Sequence, residues 1–448
     1  MFPFPLREVR PQDGSPTPGV THGSHAFRAA PEASISAGMT TTVVALFALT
    51  YLGMALGRFP GLRIDRTGIA VVATVLLLGA GALTSRQVVE AIDFPTLFIL
   101  FGLMILSAQY AASGFYDWCA LRIAASARSP ARLLAATVAV AGGLSAVLAN
   151  DVVAFAMTPM LCVGLKARGL DPRPFLIALA GAANAGSAAT VIGNPQNILI
   201  AQVGHLDFWR FLGACGVPAL VAMACVYGVV WWVWRDRLHV RGPEGAEIAP
   251  APLDRWQLGK AVAATVALLA LFASPLPEET GVLLVAGFIL VSRRLASRDM
   301  LGMVDWHLLV LFAGLFAVNR ALGLTGIPAE IVQALSAAGW WPDRLIVLAP
   351  LALASSNTIG NVPAVVLLLA AWEAPPEGAL YGLALLSTLA GNLALPGSLC
   401  NIIVAERAAL AGVALGLREH ARCGVPITLL SMAFAVLWLW LGGWMRLG

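Results

Sequence analysis

The chain has 448 residues, of which 59% are hydrophobic and only 12% charged, with a mean hydropathy of +0.82 and a net charge of +4. Charged content is about half that of an ordinary soluble domain, which excludes a soluble globular protein. The positive excess sits in short arginine-bearing loops without an aromatic-interleaved basic stripe, which excludes a nucleic-acid-binding surface.

Along the chain, Met1–Ala37 is polar and rich in Pro, Gly and Ser, without the apolar core of a signal peptide. It is expected to be a disordered tail covering residues 1–40, with Met39 as an alternative start. Apolar runs of membrane-spanning character then follow near Thr42–Leu56, Thr67–Leu83, Phe94–Ala112, Phe175–Ala201 and Phe208–Trp234. Between the third and fourth lies Leu133–Val163, interrupted at Ala149-Asn150-Asp151. After a linker over residues 237–256 come Leu258–Ala273, Gly281–Val291, Trp306–Leu322, Tyr381–Ala405 and Val425–Trp444. A second interrupted stretch, Leu345–Ala371, stands again between the third and fourth.

The two halves, residues 41–236 and 257–448, read as copies. Asp93 and Asp305, Gly102 and Gly314, and Gly114 and Gly326 are each 212 positions apart; Asn150 and Asn361 are 211 apart; Gly193 and Gly397, like Asn197 and Asn401, are 204 apart. Five spans is an odd number, so the second copy enters the membrane inverted. Leu345–Ala371 is too short for two full crossings at 1.5 Å per residue, so each interrupted stretch is expected to be a re-entrant hairpin. The fold class is therefore an all-α polytopic membrane protein of two inverted repeats. Each has five transmembrane helices and one re-entrant hairpin, with the hairpin tips meeting near the midplane.

Loop charges give the orientation. One set of loops carries Arg58, Arg63 and Arg66; Arg122, Arg128 and Arg132; Lys166, Arg168 and Arg173; Arg235, Arg237 and Arg241; Arg293, Arg294 and Arg298; and Arg407, Arg418 and Arg422. The other set carries Arg86 and Glu90, His205 and Asp207, Glu278 and Glu279, Glu330, Glu373 and Glu377. The first set is expected to be cytoplasmic and the second external, with both termini outside, in the inner membrane of a bacterium. The six cysteines have no metal-ligand spacing and read as small apolar residues, with Cys400 alone placed to face a cavity. Gly102, Gly114, Gly314 and Gly326 read as close-packing positions between helices.

Chemistry concentrates at the interruptions. Asn150 and Asp151 lie at the first tip, and Asn357, Thr358, Gly360 and Asn361 at the second. The broken spans bring Asn184, Ser187, Gly193, Asn194 and Asn197 in one repeat, and Asn392, Gly397, Ser398 and Asn401 in the other. Polar, helix-breaking residues at membrane depth are tolerated where they line a cavity, and paired interruptions in two halves point to a transporter's binding site. Free N–H groups at helix ends favour anions, and free carbonyls favour Na⁺. Asn can bridge an ion and an oxygen-rich substrate. An acid at this depth, Asp151, is a functional group by default; its structural alternative is a hydrogen bond to the tip backbone. A Na⁺ site is expected near Asn150, Asp151 and Asn361, with no other cofactor.

At these residues, above all Asn184–Asn197 ending in IGNPQN and Ser387–Asn401 opening STLAGN, the chain resembles the ion transporter superfamily. Its arsenite-permease, NhaD-type antiporter and citrate-transporter-like branches are the most similar, and divalent-anion symporters are more distant relatives. The resemblance implies substrate and coupling ions held between tips and broken helices, a scaffold and a transport domain, and a homodimer. Dicarboxylate symporters carry Ser-Asn-Thr at both tips. Here the matching triplets are Ala149-Asn150-Asp151 and Gly360-Asn361-Val362, and Asp151 repels a polyanion unless it is protonated or cation-bound. The expected function is secondary active transport of a small inorganic or organic anion or an oxyacid, coupled to Na⁺ or H⁺; the alternative is Na⁺/H⁺ antiport. A membrane enzyme is disfavoured because HExxH, GxSxG and paired histidines are missing, and a channel because doubled broken helices suit alternating access.

Overall fold

The computed structural model describes residues 37–56, 61–126, 129–238, 252–372 and 374–448. The first 36 residues of the expected tail and linker residues 239–251 lie outside them. The first half contributes α1 (Ala37–Leu56), α2 (Arg66–Gly79), α3 (Ser85–Ala91), α4 (Phe94–Ala112), α5 (Phe115–Ser126), α6 (Pro130–Ser145), α7 (Asn150–Ala167), α8 (Arg173–Ser187), α9 (Pro195–Gly204) and α10 (Phe208–Trp234). The second contributes α11 (Arg255–Leu271), α12 (Glu278–Leu290), α13 (Ser297–Gly302), α14 (Trp306–Gly323), α15 (Ile327–Ala337), α16 (Leu345–Ile359), α17 (Asn361–Ala371), α18 (Glu377–Ala390), α19 (Leu399–Leu410) and α20 (Leu417–Leu441). Each helix of the first ten has its counterpart ten places later.

The matching extends to the signals that start and stop helices. Asp93 accepts from Thr96 N at 3.2 Å to open α4, and Asp305 accepts from Leu308 N at 3.0 Å to open α14. Gly114 and Gly326, at φ +76° and +78°, turn the chain out of those helices. Both serve as turn glycines, where packing glycines were expected; Gly114 is also a close contact, since a Cβ there would overlap Pro252 O, whereas one on Gly326 would meet nothing. Gly102 and Gly314 do pack closely. A Cβ on Gly102 would overlap Val282 of α12, and one on Gly314 would overlap Ala70 of α2.

Those two contacts describe how the repeats interlock. Helix α4 packs on α11 and α12 of the other repeat, and α14 packs on α1 and α2. Polar pairs lock both crossings: Gln109 Nε2 donates to Gln257 Oε1 at 2.8 Å, and Asn319 Nδ2 donates to the Tyr51 hydroxyl at 3.0 Å. Such bonds between membrane helices contribute about 0.6–2 kcal/mol each. The remaining long elements, α6 to α10 with α16 to α20, form the second packed group, with α10 against α20 and α7 against α19.

Helices α1, α4, α10, α14 and α20 are long and apolar enough to cross a membrane unaided. The other spans are shorter (α2 has 14 residues and α12 has 13) or are split in two, as α8–α9 and α18–α19. The hairpins are α6–α7, turning at residues 146–149, and α16–α17, turning at Gly360 with φ +94°. Helices α5 and α15 follow no predicted span. They are 12 and 11 residues long, and Asp117, Arg122 and Glu330 interrupt their apolar runs.

Contacts between loops sort by the two charge sets. On the basic face, Arg173 pairs with Asp171 and Glu419, Lys166 donates to the carbonyls of Ala411 and Gly412, and Arg294 lies 3.7 Å from Asp254. On the acidic face, Arg210 pairs with Glu377 at 3.2 Å, and Gln202 donates to Glu278 at 2.8 Å.

Candidate functional site

Both broken spans are opened by the same device. Asn197 at the head of α9 donates its amide to the carbonyls of Ser187 and Thr190, at 3.2 and 2.9 Å. In the second repeat, Asn401 donates to Gly391 and Ala394, at 2.8 and 3.2 Å. All three pairs of positions are 204 apart. Where α8 and α18 stop, their last carbonyls lose intrahelical partners, and one Asn amide in each repeat replaces those donors. Asn194 caps α9 by accepting from Asn197 N at 2.9 Å, and its own amide donates to Ser187 Oγ at 3.0 Å and Thr388 Oγ1 at 3.3 Å. Gly193 and Gly397 are required by space, because a Cβ would overlap the Ser187 backbone in one case and Asn357 Oδ1 in the other.

Asn184 joins the repeats. Fully buried on α8, it donates to Asn392 Oδ1 at 2.9 Å and Asn401 Oδ1 at 3.1 Å. Its own Oδ1 accepts from Asn150 Nδ2 at 3.2 Å and from Ser398 Oγ at 3.0 Å. One side chain thus ties the first tip to both broken spans. Asn392 also donates to Gly181 O at 3.2 Å, and Ser187 Oγ to Asn184 O at 2.9 Å.

Each tip rests on the broken span of its own repeat. Asn150 N donates to Gly193 O at 3.1 Å and Thr190 Oγ1 to Ala146 O at 2.6 Å; in the second repeat, Asn357 Nδ2 donates to Ala390 O at 2.9 Å. Across the repeats, α7 packs on α19 and α17 on α9, so each tip helix also meets the broken span of the other repeat. The second tip is the less involved. Asn361 accepts from its neighbour Val362 N at 3.0 Å, while Thr358 is exposed and, among the described residues, bonds only to carbonyls of its own helix. Cys400 packs toward Ala180 O, away from the cavity lining.

A cavity of about 650 Å³ starts at Ala149, Asp151, Ile192 and Asn194 and runs toward the basic face between α4, α5, α7, α14 and α19. Its walls are mainly apolar, with Leu103, Met104 and Phe155 among them. Its charged lining is Asp117, Asp151, Asp305 and Arg407. Asp151 is half-buried, and no hydrogen bond or ion pair among the described residues involves its carboxylate; Asp305 is near enough for its charge to act on it. Arg407, in the last turn of α19, lies with its guanidinium 3.9 Å over the Phe155 ring, and its buried Nε has no partner. The carbonyl oxygens of Asn150, Asn197 and Asn357 are also buried and unpartnered. Such oxygens suit a hard cation. Of the three residues expected around Na⁺, Asn150 offers such an oxygen and Asp151 a free carboxylate, whereas the Asn361 oxygen is already bonded.

Sequence reasoning passed over Arg407, Asp305 and Thr388 as site residues. Thr388 stands 204 positions after Asn184, so the repeat offset points to it. Arg407 is one turn beyond the lining residue Ile403, so helical spacing places it on the cavity side, although it reads as one more loop arginine.

Residues 44–380 match the citrate transporter family. A 46 kDa membrane protein of Mycobacterium leprae is 28% identical over 90% of this chain and 99% of its own length. The silicon efflux transporter LSI3 of Oryza sativa is 26% identical over 84% of this chain and 93% of its own length. Among solved structures, MtrF of Neisseria gonorrhoeae, one of a class of antimetabolite efflux pumps, shares the fold at a TM-score of 0.56 and 14% identity, covering 90% of this chain and 94% of that one.

Proposed function

Because this chain belongs to the citrate transporter family and is an integral membrane transporter, we propose that it moves a small anion or oxyacid by alternating access, coupled to Na⁺ or H⁺. The observation that carries this reading is the unpartnered Asp151 carboxylate, at a hairpin tip where the cavity meets both broken spans. In the proposed cycle Asp151 takes the coupling cation. Asn150 adds its free side-chain carbonyl oxygen, and Arg407, the one cation lining the cavity among the described residues, pairs with the anionic substrate on its way to the basic face. Three carboxylates against one guanidinium make the cavity unfavourable for a bare polyanion, and the apolar walls strengthen each charge interaction. A weakly charged oxyacid or a cation-paired carboxylate fits better, and the silicon efflux transporter among the relatives supports the oxyacid side of the class.

Na⁺/H⁺ antiport is the second reading. It is supported by the two carboxylates Asp151 and Asp305 on one cavity. Purified protein in proteoliposomes, offered citrate, arsenite, silicate and phosphate under an imposed Na⁺ or H⁺ gradient, separates the two. Gradient-driven uptake of one of them supports the first reading. Na⁺-driven proton flux with no solute uptake supports the second, and gradient-independent conduction contradicts both.

A further inference from the structure

A second large concavity, which shares no lining residue with the Asp151 cavity, lies on the exposed side of the helix pair α11–α12. It has a volume of about 720 Å³ and is lined by Arg255, Trp256, Gly259, Phe288, Arg293 and Arg294 among others. Its ends differ in chemistry. At the basic face it is cationic. Arg294 is partly neutralised by Asp254 at 3.7 Å, but Arg255 and Arg293 have no acidic partner among the described residues. Lys260, which also lines the groove, donates to the carbonyls of Ile289 at 2.6 Å and of Val291, just past α12, at 2.8 Å, with its ammonium 5.4 Å from the Phe288 ring centre.

From the arginines inward the same surface is apolar and open, with Trp256 and Val291 beside them at the rim. Trp256 is 70% exposed, Phe288 62% and Val291 79%, and the strip continues along Val262 and Val266 on one helix and Leu284 on the other. The floor is low, because a Cβ added at Gly259 would meet nothing within 4 Å. A tryptophan at the rim, free guanidiniums beyond it and an apolar trough below follow the order of groups in a glycerophospholipid: phosphate, glycerol, acyl chain.

We propose that this groove binds an anionic phospholipid, its phosphate held by Arg255 and Arg293 and one acyl chain lying between the Val262–Val266 ridge and Phe288. Basic pockets between membrane helices recognise acidic headgroups because the attraction acts beside a low-dielectric medium, and the planar guanidinium can grip phosphate through two hydrogen bonds. Free phosphate leaves the exposed trough without an occupant. A two-fold-related second copy would bring the same arginine-bearing patch to both sides of the contact and so double its uncompensated positive charge. The inference needs only that the chain spans a membrane and is independent of the transport reading.

The test is native mass spectrometry and thermal melting of the full-length protein in detergent, titrated with cardiolipin, phosphatidylglycerol, phosphatidylethanolamine and inorganic phosphate. The two acidic lipids are expected to bind and to raise the melting temperature, while phosphatidylethanolamine and phosphate do neither. Arg255→Gln with Arg293→Gln is expected to weaken cardiolipin binding at least tenfold. Arg255→Lys with Arg293→Lys retains most of it, and so does the control Arg122→Gln with Arg132→Gln and Arg418→Gln on the same face. The lysine pair separates charge loss from misfolding. Equal binding of phosphatidylethanolamine, unchanged cardiolipin binding in the double glutamine variant, or an equal loss in the control overturns the proposal. So does conversion of a dimer to a monomer in the double variant, which makes the face a subunit contact.

Discussion

Asn184→Ala removes the side chain at which the two repeats are tied. Four hydrogen bonds go at once, to Asn150, Asn392, Asn401 and Ser398, all of them buried residues. Bonds of this kind between membrane helices have measured values of about 0.6 kcal/mol on average and about 1.7 at most, so the four together contribute roughly 2–7 kcal/mol. Each orphaned partner also keeps its desolvation cost. For a chain of 448 residues that corresponds to a fall in melting temperature of roughly 2–7 °C at about 2.1 cal/mol/K of unfolding entropy per residue, readable by tryptophan fluorescence in detergent. The pairwise origin of the effect is testable. Asn184→Ala with Asn401→Ala is expected to lose less than the sum of the single losses, because the two share a bond. Asn184→Ala with Thr358→Ala should add, because Thr358 bonds only within its own helix. Native-like melting of Asn184→Ala, or additivity in the first pair, refutes the role given to this residue.

Other outcomes follow from packing, topology and charge. A Cβ on Gly186 would overlap the Gly142 backbone where α8 crosses α6, so Gly186→Ala is expected to destabilise by about 1–3 kcal/mol. Gly228→Ala, a methyl into open space on α10, is neutral or gains up to about 1 kcal/mol on the same melting assay. Cysteines replacing Ala167 and Glu377, on the basic and acidic faces, are expected to react with impermeant maleimide from opposite sides of oriented vesicles, and labelling from one side contradicts the inverted arrangement. Arg407→Gln should raise the KM for the transported anion about tenfold or more, since charged hydrogen bonds contribute about 1.5–3 kcal/mol. Arg407→Lys recovers part of that, and an unchanged KM removes Arg407 from the site.

The repeats and hairpins were legible in the sequence because membranes penalise what marks them. Polar residues inside apolar runs, recurring at offsets of 204 to 212, have few structural explanations. The roles within those motifs were less legible. Asn197 and Asn401 read as ligand residues, yet both spend their amides on carbonyls that the break itself frees. That use depends on how the loop of seven residues between α8 and α9 folds back, which spacing does not encode. Helices α5 and α15 were invisible to a search for long apolar runs, although α5 supplies Asp117 and Tyr116 to the cavity wall. Arg407 was hidden by its neighbours: it stands among loop arginines in the sequence, and only the packing of α19 on α7 sets it over Phe155.

Asp151 is proposed to couple a cation to solute movement. The most direct test is uptake of the transported solute by proteoliposomes carrying either the wild-type chain or Asp151→Asn, with and without an imposed Na⁺ or H⁺ gradient. The wild type is expected to accumulate the solute under the gradient. In the variant, accumulation is abolished while any residual downhill flux no longer responds to the gradient. Accumulation by Asp151→Asn equal to wild type, with the same dependence on the gradient, contradicts that role.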